Sequence, residues 1–489
     1  MVKGSHLYDL QPAQIAWFKK YCEDDTHITA ALYEAWKDRI PDQENQLIDH
    51  TIKLFLNPIL CIDLEAQMRI IEQESLETEA QLENMGLTRK DVRSDATFFN
   101  YIQSLGYTPP TQYSVKQDKE IPCFKKNAPE FLDFYAENPE LQDLLDLKIN
   151  INSSIKRTRS EQLVKAAQIH QGRIPVAYNY CGAFTGRFSG TNKINLQNLP
   201  RGSALRQAIT APPGHVLVAC DLSQIEVRVL AWLAGQDSIM QIFRDKKDPY
   251  CEMASLIFKK PVTKKDPDER FVGKSAVLGL GFSMSAGKFQ LYCAAQGRKL
   301  DAELCEHTVN TYRNTYPKIV QFWRTIGNRL KDLCIAGPKL PSKWRNPTED
   351  VKQINTDAQY IINQYLRITD HQSIRLPSGR EISYYGLHYD PEIDGYRLPN
   401  NKKVYGALCV ENLVQGTARD IMCDMLLRVE QYHSVVMHTH DELVVCVEET
   451  RAEEIKAHLL EIMTTPPPWA IGIPLDAEAA CGFTYGDCK

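Results

Sequence analysis

The stretch that most restricts how this chain can fold is VLVACDLSQIEVRVLAWLAG, residues 216–235. Val216 to Cys220 are apolar without alternation, the pattern of a strand buried on both faces. The run ends in Asp221, and a helical stripe of Ile225, Val229, Trp232 and Leu233 follows, with a second acid, Glu226, five residues after the first. A carboxylate at the edge of a core is costly unless a cation or strong donors compensate it. The pattern therefore predicts a positive partner at residue 221.

The chain has 489 residues, more than one ordinary core holds, so two to four subdomains are expected. An apolar share of 43% and a charged share of 24% are those of a soluble globular protein and argue against a disordered or fibrous one. No apolar run is long enough to span a bilayer, and the opening MVKGSHLYDL lacks the apolar core of a signal peptide. The fourteen cysteines contain no CxxC pair, which points to free thiols in a reducing cytoplasm rather than a zinc ribbon. With a net charge of −5, any nucleic-acid binding must come from local basic patches.

Residues 5–100 read as mostly helical, with breaks near Ile40–Pro41 and Asn57–Pro58, and helical material returns from Pro129 to about His170. From 175 to 222 the texture is of strands and turns, and helices dominate again from 223 to about 370. RLPSGREISYY reads as a hairpin turning at Ser378–Gly379, followed by a helix over 406–433. SVVMHTHDELVVCVEE, polar at its centre and apolar on both flanks, predicts two antiparallel strands meeting at His440–Asp441.

That hairpin supplies a second acid, Asp441, at the end of an apolar strand. Two carboxylates at adjacent strand ends repel unless they share a cation. Oxygen ligands without His or Cys favour magnesium or manganese, and two such ions about 3.5–4 Å apart form the usual clamp for displacement at phosphorus. Taken singly, each acid reads equally well as a helix cap or a salt-bridge partner. In DERFVGKSAVLGLGFSMSAGKF, Arg270, Lys274, Leu278 and Phe282 recur every four residues and share one helix stripe. Two cations on consecutive turns suit a polyphosphate, and the apolar pair suits a base. The bland alternative is an amphipathic helix with solvated cations. Gly279 and Gly281, both unfavourable in a helix, suggest close approach by a partner or a moving joint.

Together, D-x-S-Q-I-E-x-R at 221–228, R-x3-K-x7-F at 270–282 and H-D-E at 440–442 resemble motifs A, B and C of the family A DNA polymerases, the bacterial polymerase I and phage group. TGRFSG (185–190), NLQNLPR (195–201) and QGTARD (415–420) follow in the family's order. DPYCEMAS (248–255), VGKSAVLG, RLPSGR and ENLVQGTARDI lean towards the phage branch. The resemblance runs from about residue 53 to the C-terminus.

It implies an α+β, right-hand fold with an antiparallel palm sheet and helical fingers and thumb. The boundaries it suggests are 1–52 for a helical remnant of an exonuclease-type domain, 53–165 thumb, 166–236 palm, 237–404 fingers with a hairpin near 375–386, and 405–489 palm. Asp221 and Asp441, helped by the Leu222 carbonyl, would hold two magnesium ions, with manganese as substitute and Glu442 as a secondary acid beside them. Arg270 and Lys274 would grip the incoming triphosphate, with Lys274 placed to protonate the leaving group, and Leu278, Phe282, Gln224 and Tyr250 would complete the nucleotide site. Glu226 would close off the sugar pocket against a 2′-hydroxyl. Arg187, Asn195, Gln197, Gln415 and His440 would contact DNA near the primer terminus, and Lys156, Arg157 and Arg159 its phosphates. The implied partners are primer–template DNA, dNTPs and a separate exonuclease or processivity factor, for a monomer in the cytoplasm, host bacterial if phage-encoded.

Several positions depart from the family pattern. Leu278 stands where polymerase I enzymes commonly carry Phe or Tyr, Phe282 where tyrosine is usual, Ser283 where glycine follows it, and Tyr250 where many have histidine. Tyr21 and Asp25 resemble the last exonuclease motif, Y-x3-D, without the acids expected upstream, so proofreading is not expected from this chain. Asp63-Leu64-Glu65 reads as ordinary helix surface. Rival readings are a single-subunit RNA polymerase, opposed by Glu226 and the H-D-E block, a catalytically silent DNA-binding scaffold, opposed by the intact acids and cations, and an exonuclease, opposed by its missing acids.

Overall fold

The apolar run becomes strand β1 (His215–Leu222), in which Leu217 to Cys220 are at most 2% exposed. Consecutive side chains on a strand point to opposite faces, so both faces of the sheet are covered here. The computed structural model describes residues 11–114, 118–125, 128–152, 155–191, 195–200, 202–335, 367–369 and 372–488. It divides into two units, Met1–Lys53 and Leu54–Lys489. The first contains the helix Pro12–Trp36, which carries Tyr21 and Asp25 and has no buried residue.

In the second unit β1 lies within a four-stranded antiparallel sheet with β2 (Val435–Thr439), β3 (Glu442–Glu448) and β4 (Ala477–Gly482), in the order β2-β3-β1-β4. The β2–β3 pairing closes Thr439 on Glu442, so the turn is His440–Asp441, as the sequence predicts. Register along β3 and β1 sets Glu442 opposite Asp221 and Val445 opposite Val218.

Four helices of this unit carry or support the motif residues. Helix α1 (Ile225–Ala234) leaves β1 directly; α2 (Pro249–Phe258) and α3 (Pro267–Gly279) pack on each other; α4 (Gly406–Glu430) runs through the core with most of its residues buried. A separate apolar cluster, built on Phe98, Phe124, Phe131 and Leu145, holds the helices between residues 64 and 152 together. Asp63 caps the helix Leu64–Asn84 by accepting the Ala66 N–H. Cys61 and Ile62 form a short strand on Ile209 and Thr210, a long-range pairing that the helical reading of residues 5–100 misses. The 375–386 hairpin is present as Ser373–Arg375 paired with Glu381–Ser383, part of a small three-stranded sheet that precedes α4. Among the described residues no helix is long and apolar enough to cross a membrane.

Candidate active site

Asp221 occupies the last turn of the pleat in β1, and the next residue ties it to the hairpin: Leu222 N–H donates to the Asp441 carbonyl at 2.8 Å. The two acids thus stand at neighbouring strand ends, both partly exposed, on backbone that the sheet holds. Beneath them burial, with the charges of Asp221 and Glu442, pushes the Cys220 thiol up to about 12. Most of that rise is the cost of burying a thiolate, to which the two carboxylates add.

Glu442 behaves differently from its neighbour. It is fully buried, its carboxylate accepts the Tyr485 hydroxyl, and Arg206 lies 3.9 Å away. Burial and this carboxylate together raise the Tyr485 pKa. The expected secondary acid beside the metals is therefore a core group held by its own chain, because the strand turns residue 442 inward just after residue 441 reaches the rim.

The turn from β1 into α1 is tight. Gln224 takes φ +48°, a conformation that costs a residue with a Cβ roughly 1–2 kcal/mol. Arg228, 3% exposed, holds this turn by donating to the Ser223 carbonyl at 2.6 Å and the Pro474 carbonyl at 2.7 Å. Burial lowers its pKa to about 10, so the guanidinium remains charged at neutral pH. The turn places Glu226 in the first turn of α1, where the helix dipole favours a negative charge.

On α3 the first three residues of the predicted stripe, Arg270, Lys274 and Leu278, lie on the face left free by packing, whereas the fourth, Phe282, falls outside it because the helix ends at Gly279 and tightens into a 3-10 turn. Val272, Gly273, Ser275, Ala276 and Val277 are buried, Lys274 is exposed, and Arg270 and Leu278 are partly so. Gly273 permits this arrangement, since a Cβ there would stand 2.1 Å from the Tyr250 carbonyl on α2. Phe282 ends a short 3-10 turn, Leu280–Phe282, and Ser283 comes next at φ +62°, the conformation for which glycine is the natural residue. A Cβ at Gly281 would meet Leu230 at 2.8 Å, so its close approach is to α1.

Arg270 is held from below. Its Nη2 and Nε lie 2.8 and 2.9 Å from one carboxylate oxygen of Asp248, which also caps α2 by accepting the Tyr250 N–H at 2.9 Å. Although burial alone pushes the Asp248 carboxyl up, the Arg270 and Tyr250 hydrogen bonds more than offset it and hold the carboxyl below its usual range. The guanidinium lies 5.3 Å from the Tyr250 ring centroid, and Tyr250 is only 7% exposed. Tyr250 is thus a buried support for Arg270 rather than an exposed nucleotide contact, because α2 packs its ring inward. Lys274 makes no ion pair among the described residues.

The model of DNA polymerase family A matches residues 72–361, more than half of the chain. The chain belongs to that family. It is 27% identical over 346 residues to the thermostable DNA polymerase I of Thermus filiformis, covering 69% of this chain and 35% of that protein. It is 31% identical over 291 residues to a DNA polymerase of Bacillus phage SP02, covering 56% of this chain and 42% of the relative. The chain thus spans less than half the length of these curated relatives. The fold is that of the POL domain of Pol1 from M. smegmatis, solved with DNA primer-template and dNTP. The TM-score is 0.68 at 18% identity, over 95% of this chain and 73% of that one.

The remaining family-motif residues are held by contacts of their own or lie open. Arg187 Nη2 pairs with Glu226 Oε1 at 2.6 Å, joining the expected minor-groove cation to the expected sugar-pocket acid. Gln415 donates to Glu411 at 3.2 Å one turn earlier on α4, and Glu411 is pushed up by burial and by Glu226. His440 is exposed at the hairpin tip. Asn195 turns its amide oxygen back onto the Gln197 N–H at 3.0 Å and packs over Gly190, where a Cβ would lie 2.3 Å from Asn195 Cγ. Gln197 is partly exposed. Lys156, Arg157 and Arg159 belong to the helix Ile155–Ile169, and their side chains lie outside the described residues.

Two residues that support this arrangement, Asp248 and Arg228, carry no site assignment in the sequence. Asp248 had a signal, since an acid before Pro249 is a helix-start pattern, but its bond to Arg270 spans 22 residues. Arg228 closes the D-x-S-Q-I-E-x-R motif, yet nothing local marks it as buried. The donor set fits magnesium. Among the described residues no three His, Cys, Asp or Glu gather as metal ligands, leaving Asp221 and Asp441 as two hard carboxylates. Magnesium is commonly held by one or two carboxylates, with waters and substrate phosphates filling the remaining positions.

Proposed function

We propose that this chain is a template-directed DNA polymerase that adds dNTPs to a primer 3′-hydroxyl by two-metal nucleotidyl transfer in DNA replication of the phage kind. The observation that supports it most is the link from Leu222 N–H to the Asp441 carbonyl, which sets two carboxylates at neighbouring strand ends in a family A chain. On this reading residues 53–165 form the thumb, 166–236 and 405–489 the palm, 237–404 the fingers, and 1–52 an exonuclease-type remnant. Its partners are primer–template DNA, dNTPs and a separate exonuclease or processivity factor, and the working form is a monomer.

Asp221 and Asp441, with the Leu222 carbonyl, would hold the ions. Magnesium, or manganese in its place, supplies the charge neutralisation that activates the primer hydroxyl and supports the departing pyrophosphate. Arg270 binds the triphosphate by exchanging Asp248 for phosphate oxygens, while Lys274 holds the proton that the leaving group takes up. Glu226, in the first turn of α1, excludes a 2′-hydroxyl. Arg187, Gln415 and His440 face the minor-groove edge, whose shared acceptors let pair geometry be checked without reading sequence.

The test is extension of a labelled primer–template with magnesium, comparing dNTPs with rNTPs, beside an Asp441→Ala control. Extension with dNTPs only, lost in the control, is the expected result. Equal use of both nucleotides overturns the role of Glu226, and duplex binding without extension overturns the enzyme reading.

A further inference from the structure

We infer that Asp420 is a positioning residue for primer-terminus recognition, holding two arginines that clamp the turn presenting Arg187. The inference rests on the polymerase reading above and extends it to a residue that touches neither DNA nor nucleotide.

The turn is Ala183–Arg187, closed by Ala183 N–H to the Arg187 carbonyl at 3.0 Å and Gly186 N–H to the Ala183 carbonyl at 2.9 Å. Gly186 takes φ +84°, and a Cβ there would stand 2.4 Å from Arg380 Nη1. Arg380, from the 375–386 hairpin, donates through Nη2 to the Thr185 carbonyl at 2.8 Å and the Gly416 carbonyl at 3.2 Å. It therefore ties the turn to α4 beside Gln415. Arg419, on α4 and 3% exposed, donates through Nε to the Gly186 carbonyl at 3.1 Å. Its guanidinium lies 5.7 Å from the ring centroids of both Tyr180 and Phe188.

Both cations converge on one carboxylate. Asp420, 4% exposed, accepts Arg380 Nε at 2.7 Å, Arg419 Nη1 at 3.2 Å and Ser378 Oγ at 2.5 Å. Its removal takes away the one carboxylate oxygen that both guanidiniums share in a buried site, and breaking such a shared ion pair is destabilising. Arg380, whose side chain is 18% exposed against 3% for Arg419, is the one free to swing out. Its departure removes the donor beneath Thr185 and frees the base of Arg187. The Asp221–Asp441 edge and α3 are held by other contacts and keep their geometry. The predicted lesion is thus selective: the primer end is gripped poorly while the chemistry of a correctly seated end is spared.

The test measures binding of a fluorescent primer–template in EDTA, and steady-state extension with magnesium. It compares wild type, Asp420→Asn, Arg187→Ala, the double variant and the milder Ser378→Ala. Asp420→Asn is expected to weaken DNA binding and raise the DNA KM by about tenfold with a smaller change in kcat, and to add less than about twofold in the Arg187→Ala background. Ser378→Ala, which keeps both arginines and the carboxylate, is expected to give about two- to threefold of the same loss, again absent without Arg187, and decides the matter if Asp420→Asn does not fold. An Asp420→Asn or Ser378→Ala variant that binds like an extending wild type, or a loss that multiplies fully with that of Arg187→Ala, overturns the clamp alone. A wild type that neither binds nor extends primer–template overturns the polymerase reading itself, and the clamp with it.

Discussion

The strand-end acids and the α3 cations are placed by different means. Asp221 and Asp441 are positioned by backbone: a sheet register that repeats from Glu442↔Asp221 to Glu448↔His215, and a hydrogen bond across the strand ends. Arg270 is positioned by side chains, namely the carboxylate that caps α2 and one ring beneath it, and Lys274 stands exposed. A site for a small ion of fixed size gains from a rigid frame. A site that must admit and release a triphosphate gains from contacts that can be exchanged. On the proposed reading, the kind of support each region has follows what it binds rather than how deep it lies.

That contrast can be broken from either side. Asp441→Ala should remove about a thousandfold or more of single-turnover primer extension, since several kcal/mol of charge stabilisation at about 1.4 kcal/mol per tenfold is at stake. Its thermal midpoint should stay near wild type, because the bond to Leu222 uses the backbone carbonyl of residue 441, which alanine keeps; a fall of many degrees would show that the acid edge is structural. Lys274→Ala should lower kcat by about a hundredfold with little change in stability, as expected for loss of a general acid. An unchanged kcat with a raised KM would reduce it to a binding group.

Gly273→Ala tests the helix side through packing. The added methyl meets the Tyr250 carbonyl at 2.1 Å, so α2 and α3 must separate. We expect a loss of about 1–3 kcal/mol in urea unfolding, typical of overpacking, with dNTP KM rising alongside. Asp248→Asn should be the mildest, raising dNTP KM by about three- to tenfold while kcat holds, because Arg270 loses its tether but keeps its charge. The Asp248 carboxyl is depressed in the folded state, so its contribution is complete above the ordinary carboxylate range and fades as pH falls through that range towards the lower folded value. The stability gap between wild type and Asp248→Asn should close on acidification, and a gap that persists well below that range would separate Asp248 from this role.

The elements of the site were legible because each rests on a local pattern. An unbroken apolar run reads as β1, the alternation of flanks and centre reads as the β2–β3 hairpin, and four-residue spacing reads as the stripe on α3. The pairings that are not legible are those whose partners come from far along the chain. Tyr250 and Asp248 depend on how α2 meets α3, and Arg187 and Glu226 pair across 39 residues. Glu442 shows the limit within a single dipeptide, since Asp441 and Glu442 are two acids side by side and only one faces out.

The sequence by itself determined the order of strand, acid and helix, the spacing of the two cations, and the membership in family A that those motifs imply. Tertiary structure decided which carboxylates share an edge, which one is buried against Tyr485, and which arginine leans on which acid. The physical reason is range. Periodicity and turn chemistry act over a few residues, whereas burial and charge pairing depend on surfaces that meet only when the sheet and helices close on one another.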